Sequence, residues 1–284
     1  MSLPVHRVDA FTRDGRGGNP AGVVLAAHGL SNATMQSVAA ELGYSETVFL
    51  VAREEGSVTV QFFAPKQEVA VCGHATIALF HALHQLEGLV GDFTMRCGAG
   101  DLNVSSGTEG DVYLTQTKPV VGERLSIPEL SASLGIEQSL FAAEPSAHRI
   151  ASTGLKKIFT EVVDRQTLNT AAPHPKLVED VSRRHGAIGI YLYARASKSD
   201  ACDVFTRNYA PVVGIWDDAA TGTSVAALTG VLEAREDWDT SDRSWVIYQG
   251  DPIGCPSRIE AHYRSGDLQI GGHAHIVESF NLEV

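Results

Sequence analysis

The sequence predicts an α+β chain made of two similar lobes, each a sheet wrapped round one buried helix. Three observations carry this. Short runs rich in Val, Ile, Phe and Tyr recur along the 284 residues, mostly bounded by Gly, Pro, Asn or Asp. Two helical segments are apolar nearly all round, so they must be buried on every face. Those two segments align with each other without gaps, one in each half of the chain. At roughly 150 residues per domain, the length also fits about two domains.

The elements follow in order. Strands are expected at 22–25, 47–51 and 58–63. Between the first two, the segment from Asn32 to Leu42 has amphipathic spacing and stops at Gly43. The first all-round apolar helix covers about 74–86, with Ile77, Leu79, Phe80, Leu83 and Leu86. In the second half, 175–185 is amphipathic and stops at Gly186. Strands are expected at 189–193 and 203–208, then the second apolar helix at about 223–234, with Val225, Leu228, Val231 and Leu232. Strands at 245–249 and 275–280 close the chain. Both apolar helices fall short of the roughly 20 residues that cross a bilayer, so each belongs inside a sheet.

The alignment pairs Gly73 with Gly222, Ala78 with Ala227, Leu79 with Leu228 and Leu83 with Leu232. Upstream, an Ala64-Pro65 step ends one strand and an Ala210-Pro211 step ends another. The pattern is that of a duplicated lobe. The break is placed near Lys118-Pro119, giving an N-terminal lobe over 1–118 and a C-terminal lobe over 119–270. The final strand, about 271–284, is assigned to the N-terminal lobe, although sequence alone leaves its partner open.

Composition narrows the function. Apolar residues make up 44% and charged residues 20%, as in ordinary soluble domains. The formal charge of −12, with no basic run, argues against nucleic acid and anionic membrane as partners. The first dozen residues lack a basic region followed by an apolar core, so no secretion leader is expected. Cys72, Cys97, Cys202 and Cys255 are far apart and form no CxxC pair, which fits reduced thiols in a cytoplasmic protein.

Both apolar helices begin with small, permissive residues, Cys72-Gly73-His74 and Thr221-Gly222-Thr223. The first N–H groups of a helix lack internal partners and the dipole there is positive. Glycine lets a ligand approach that backbone closely. Two such starts at matching positions are expected to hold a carboxylate. A metal site is not expected. His74 and His81 share a helix face but stand about 10 Å apart at 1.5 Å per residue, and His84 adds nothing to them. His273-x-His275 has no acidic partner pattern. The acidic stretch 233–242, carrying Glu236, Asp237 and Asp239, is expected to be a solvated surface loop.

A longer motif is more specific. The run Phe62-Phe63-Ala64-Pro65-Lys66-Gln67-Glu68-Val69-Ala70-Val71-Cys72-Gly73-His74-Ala75-Thr76 resembles the first signature of the PhzF-like family, named for the phenazine-biosynthesis isomerase. Gly18-Asn19-Pro20-Ala21-Gly22, Ser45-Glu46-Thr47-Val48-Phe49-Leu50, Asp218-Ala219-Ala220-Thr221-Gly222-Thr223 and Gly271-Gly272-His273-Ala274 agree with it in the family's order. The resemblance implies two similar lobes, each a mostly antiparallel sheet curled round a central helix, as in diaminopimelate epimerase and proline racemase. It implies an isomerase with no metal or organic cofactor, acting on a small carboxylate substrate. The family's named reaction isomerises trans-2,3-dihydro-3-hydroxyanthranilate by moving a proton from C3 to C1. The resemblance assigns the acid/base role to Glu46 and substrate binding to Gly73, His74, Asp218, Gly222 and Thr223. It also implies a homodimer.

The residue types suit those roles. Partial burial at a strand end favours a carboxyl that can both take and return a proton. His74 can donate to a substrate oxygen. Asp218 can orient His74 or accept from a hydroxyl or amine. Where the family often has Ser, Thr223 keeps the hydroxyl and adds a methyl. Two-base epimerases of this fold place a thiol on each side of the substrate carbon. Cys72 falls at the first position, but Thr221 occupies the second, and its hydroxyl is too weak an acid or base alone. Cys72 is therefore expected to pack as a small buried residue. Two other readings stay open: a racemase or epimerase that uses Cys72 with another partner, and a metabolite-binding protein without catalysis.

Overall fold

The computed structural model describes residues 2–238 and 243–283. It divides into two compact units, Met1–Thr115 with Gly271–Val284, and Gln116–Ile270. The first unit runs through β1 (Ser2–Ala10), β2 (Asn19–Val24), α1 (Asn32–Leu42), β3 (Thr47–Glu54), β4 (Ser57–Ala64), β5 (Gln67–Val69), α2 (Gly73–Glu87), β6 (Gly91–Cys97), β7 (Gly100–Ser106) and β8 (Val112–Thr115). The second contains β9 (Val120–Arg124), α3 (Ile127–Leu134), β10 (Arg149–Ser152), β11 (Lys156–Glu161), α4 (Arg165–Thr170), α5 (Pro175–Arg184), β12 (Ile190–Arg195), β13 (Val204–Ala210), β14 (Ile215–Asp218), α6 (Gly222–Glu233), β15 (Ser244–Gln249) and β16 (Ser257–Arg264). The chain continues through β17 (Asp267–Gly272) and ends with β18 (Ala274–Glu283) in the first unit.

Within the first unit, β1 and β2 pair antiparallel, β2 and β3 parallel, β3 and β4 antiparallel, β4 and β6 parallel, and β6 and β7 antiparallel. The second unit repeats that alternation through β10 and β11, β11 and β12, β12 and β13, β13 and β15, and β15 and β16. Each parallel pair needs a crossover, and helices supply it. The crossover is α1 or α2 in the first unit; in the second it is α4 with α5, or α6. The short strand after each Ala-Pro step folds back antiparallel, β5 on β4 and β14 on β13. Two strands from different places in the chain cover the same repeat strand. β9 lies antiparallel to β10, and β18 lies antiparallel to β1 from Ser2↔Glu283 to Ala10↔Ala274.

The central helices justify the all-round apolar reading. Every residue from 75 to 83 of α2 is buried, and so is every residue from 224 to 232 of α6. α2 lies against β1, β2, β8 and β18, and α6 against β9, β10 and β16. A Cβ at Gly230 would come within 2.5 Å of the Pro119 Cβ, so the missing side chain lets α6 lie close to the β9 segment. Leu86 departs from expectation. It lies in the last turn of α2 and is 51% exposed, because the helix emerges from the sheet before its αL cap at Gly88. The outer helix α1 is held at one end by the Ser31 side chain, which accepts from Thr34 N–H, and at the other by Gly43 in the left-handed region. Its buried Met35, Val38 and Ala39 join Leu3, Val5, Phe49 and Phe63 in a satellite core.

In the acidic stretch Glu236 and Asp237 are exposed, and the stretch also carries ion pairs. Asp237 is ion-paired to Arg195 and Arg235, and the buried Arg235 guanidinium reaches Glu161 at 2.5 Å. Glu233 pairs with Arg243 at 2.9 Å. Asp237 and Glu233 therefore serve ion pairs as well as facing solvent. Asp239 lies outside the described residues.

Candidate active site

Glu46 sits between α1 and β3, where its carbonyl accepts the N–H of Gly22 at 3.2 Å and ties the turn to β2. Its half-buried carboxylate lies 3.4 Å from His74 Nε2, through Oε2. His74 is the second residue of α2, and its side chain is 11% exposed. Ser45 Oγ lies 3.3 Å from the same Nε2, while Cys72 Sγ lies 3.3 Å from Nδ1. The imidazole is thus flanked by a carboxylate and a hydroxyl on one nitrogen and a thiol on the other. Cys72 is half-buried at the N-cap rather than packed away as expected, because its thiol turns to the His74 ring. Gly73 opens outward: a Cβ there would meet no atom within 4 Å.

The second unit builds a polar cluster at the start of α6. Asp218 ends β14, and its Oδ2 accepts from Thr221 Oγ1 at 2.5 Å and from Asn208 Nδ2 at 3.4 Å. Asn208 Nδ2 also donates to Thr221 Oγ1 at 2.7 Å. Gln249 Nε2 donates to the Asp218 carbonyl at 2.7 Å and to Thr221 Oγ1 at 3.0 Å, and the Tyr191 hydroxyl donates to Gln249 Oε1 at 2.9 Å. Behind these lies Lys157, a buried ammonium that donates to Asn208 Oδ1 and, at 2.9 Å, to Ser224 Oγ. Burial pushes Lys157 down from 10.5 to about 7, against the opposing pull of Asp218. Gly222 and Thr223 open the helix, and the Thr223 carbonyl accepts from Thr153 Oγ1 at 3.2 Å.

Both central helices share a feature at their first residues. Cys72 and Thr221 make no side-chain cap bond to the helices they start, as at α3 and α5, whereas Ser31 and Asp164 cap α1 and α4. Uncapped helix starts leave N–H groups able to bind an anion.

The structure therefore groups Glu46, Gly73 and His74 in the first unit, and Asp218, Gly222 and Thr223 in the second. Ser45, Lys157, Asn208 and Gln249 join these groups without having been picked from the sequence. Lys157 stands in a Lys156-Lys157 pair that reads as a solvated strand end, and no local signal marks which lysine turns inward. The two later histidines of α2 bond backbone carbonyls. His81 Nδ1 bonds the Gly110 carbonyl at 3.0 Å, and His84 Nδ1 the Leu89 carbonyl at 3.3 Å. Among the described residues, the one group of three metal-capable side chains is Glu46, Cys72 and His74, whose ligand atoms lie within 4.8 Å of one another.

Comparison with known proteins places these residues in a wider context. The family model described as PhzC-PhzF, phenazine biosynthesis-like protein, matches residues 8–279. A protein named as an uncharacterized isomerase from Deinococcus radiodurans is 34% identical, over 95% of this chain and 91% of its own. A second, the uncharacterized isomerase YddE of Salmonella typhimurium, is 32% identical over 96% and 86%. The crystal structure of the Bacillus anthracis phenazine biosynthesis protein of the PhzF family superposes with a TM-score of 0.87 at 24% identity, covering all of both chains. A hydroxyproline epimerase from Agrobacterium vitis shares the fold at a TM-score of 0.59 and 15% identity, over 99% of this chain and 91% of that one.

Proposed function

The chain belongs to the PhzC-PhzF family of phenazine biosynthesis-like proteins, a family of isomerase enzymes, and on that premise we propose a cofactor-independent isomerase in which Glu46 moves a proton between two carbons of a small carboxylate substrate. The observation that carries this reading is the Glu46 carboxylate, accessible to ligand yet held 3.4 Å from His74. The carboxylate takes a proton from a carbon next to a conjugated system. The electron pair of that C–H bond moves into the conjugated system, and the same carboxyl returns the proton to a second carbon on the same face. Atoms and charge balance with no external oxidant. His74 donates to the oxygen where charge develops. Gly73 on α2 supplies helix-start N–H groups to the substrate in the first unit, and Asp218, Gly222 and Thr223 carry the substrate-binding role proposed for the second.

trans-2,3-Dihydro-3-hydroxyanthranilate is the substrate to try first. A homodimer and a cytoplasmic setting belong to the same proposal. No described helix is long and apolar enough to cross a membrane.

Glu46→Gln tests the role of the base. The amide keeps the size and removes the proton acceptor. Turnover is expected to fall about 10²–10⁴-fold, the range for general acid–base groups, with ligand affinity retained. Wild-type-like turnover would sink the assignment.

The racemase reading has one observation in its favour, the Cys72 thiol 3.3 Å from His74. It lacks a second base: the Thr221 hydroxyl already donates to Asp218. Inversion at the substrate carbon, abolished in Cys72→Ser, would support it.

A further inference from the structure

We propose that Glu46, Cys72 and His74 form a transition-metal site, and that zinc seated there switches the isomerase off. The site itself stands on geometry; the switch rests on Glu46 being the base.

Three different donors converge from two short segments. Cys72 caps α2, His74 follows two residues later, and Glu46 arrives from the turn before β3. Zinc bonds of about 2.3 Å to sulfur and about 2.0–2.1 Å to nitrogen or oxygen put tetrahedral neighbours roughly 3.3–3.6 Å apart. Glu46 Oε2 lies 3.4 Å from His74 Nε2, and Cys72 Sγ lies 3.9 Å from that nitrogen and 3.3 Å from Nδ1. All three ligand atoms fall within 4.8 Å of one another. Turning the Cys72 side chain from the Nδ1 edge of the ring toward Nε2, with shifts of about 1 Å, closes the set.

The donor chemistry selects the metal. A thiolate with an imidazole suits zinc and its neighbours, whereas magnesium and calcium prefer oxygen alone. The positive end of α2 favours an anionic sulfur beside it. Three protein ligands leave a fourth position for water, and the Glu46 and His74 side chains, 23% and 11% exposed, leave a path for the ion.

Binding exchanges protons for metal. Cys72 loses its thiol proton to solvent, His74 binds as the neutral ring through Nε2, and Glu46 binds as the carboxylate. A carboxylate committed to zinc cannot remove a proton from carbon. Metal and turnover are then mutually exclusive.

The test uses the full-length protein and needs no substrate for its first arm. Cobalt(II) is added to the wild type, Cys72→Ala, Cys72→Ser and Glu46→Gln, and thiolate-to-cobalt charge-transfer absorption is recorded. Zinc affinity is measured by competition with a chromophoric chelator. The wild type is expected to take one equivalent and show the thiolate band. Both Cys72 variants should lose the band, and zinc affinity should fall by more than the about 10–100-fold seen for outer-shell changes. Glu46→Gln should keep the band and bind more weakly. Alanine removes no cap bond from α2, and serine keeps the shape, so at least one Cys72 variant stays folded.

A wild type without the band, or a band that persists in both Cys72 variants, overturns the site. In the second arm, turnover is measured with zinc and then with excess EDTA. Inhibition reversed by EDTA supports the switch; unimpeded or faster turnover with zinc bound overturns it. Failure of the cobalt arm leaves the isomerase reading intact. Absence of turnover by EDTA-treated protein on trans-2,3-dihydro-3-hydroxyanthranilate and on other small carboxylates removes both the isomerase reading and the switch, and leaves the metal site standing.

Discussion

Glu46 and Lys157 mark the two extremes of what single residues reveal. Glu46 stands in a Ser-Glu-Thr-Val-Phe-Leu run whose resemblance can be read directly, and the structure sets its carboxylate beside His74. Lys157 gives no such signal. Its burial comes from β11 lying between β10 and β12, which turns it inward while Lys156 stays exposed. The cost of that burial predicts a pH dependence. Burial holds Lys157 at about 7 in the folded chain, against 10.5 when exposed. Between those values the unfolded chain holds a proton that the native chain does not. The cost is therefore fully present below pH 7. Stability should rise from pH 7 toward 10, with a contribution from this residue of up to about 1.4 kcal/mol per pH unit. Denaturant titrations across that window should show the slope in the wild type and lose this part of it in Lys157→Met.

At the scale of elements, the helices were far more legible than the strands. An apolar surface on every side admits one explanation in a chain of this composition, and α2 is wrapped from 75 to 83 and α6 from 224 to 232. Strands built on small or polar inward residues escape such reading. In β16 the buried positions include Ser257 and Ala261 beside Ile259, and β7 buries Ser105 and Ser106 beside Val104. Their partners in the sheet, not their own apolarity, keep them inside. The short helices α3 and α4 were missed for a similar reason: few of their residues face a core, Leu130, Ser133 and Leu134 in one and Thr167 and Leu168 in the other. Close packing gives this scale its prediction. Gly230→Ala brings a methyl group within 2.5 Å of Pro119 and should destabilise the second unit by about 1–3 kcal/mol, despite alanine's better helix propensity. Thermal melts of the variant decide between clash and propensity.

At the scale of the whole molecule, the chain folds the same strand alternation twice, and the aligned helices with their Ala-Pro steps were its trace in the sequence. What the alignment did not reveal is the exchange of one strand. In the second unit, β9 precedes the repeat and lies on β10; in the first, β18 comes from the far end of the chain and lies on β1. A strand's partner depends on which edge is open, and no local pattern records that. Removing residues 273–284 should expose the β1 edge beside buried Leu3 and Val5. Amides of β1 should then lose hydrogen-exchange protection before those of β12 and β13.

The central claim is that one carboxylate, that of Glu46, moves a proton between two carbons of the substrate. It is tested most directly by proton NMR of trans-2,3-dihydro-3-hydroxyanthranilate with the EDTA-treated enzyme in D2O, alongside Glu46→Gln. Loss of the C3 proton signal with product formation, absent in Glu46→Gln, is the predicted result. Equal turnover by the variant, or no turnover by the wild type on this or other small carboxylates, would contradict it.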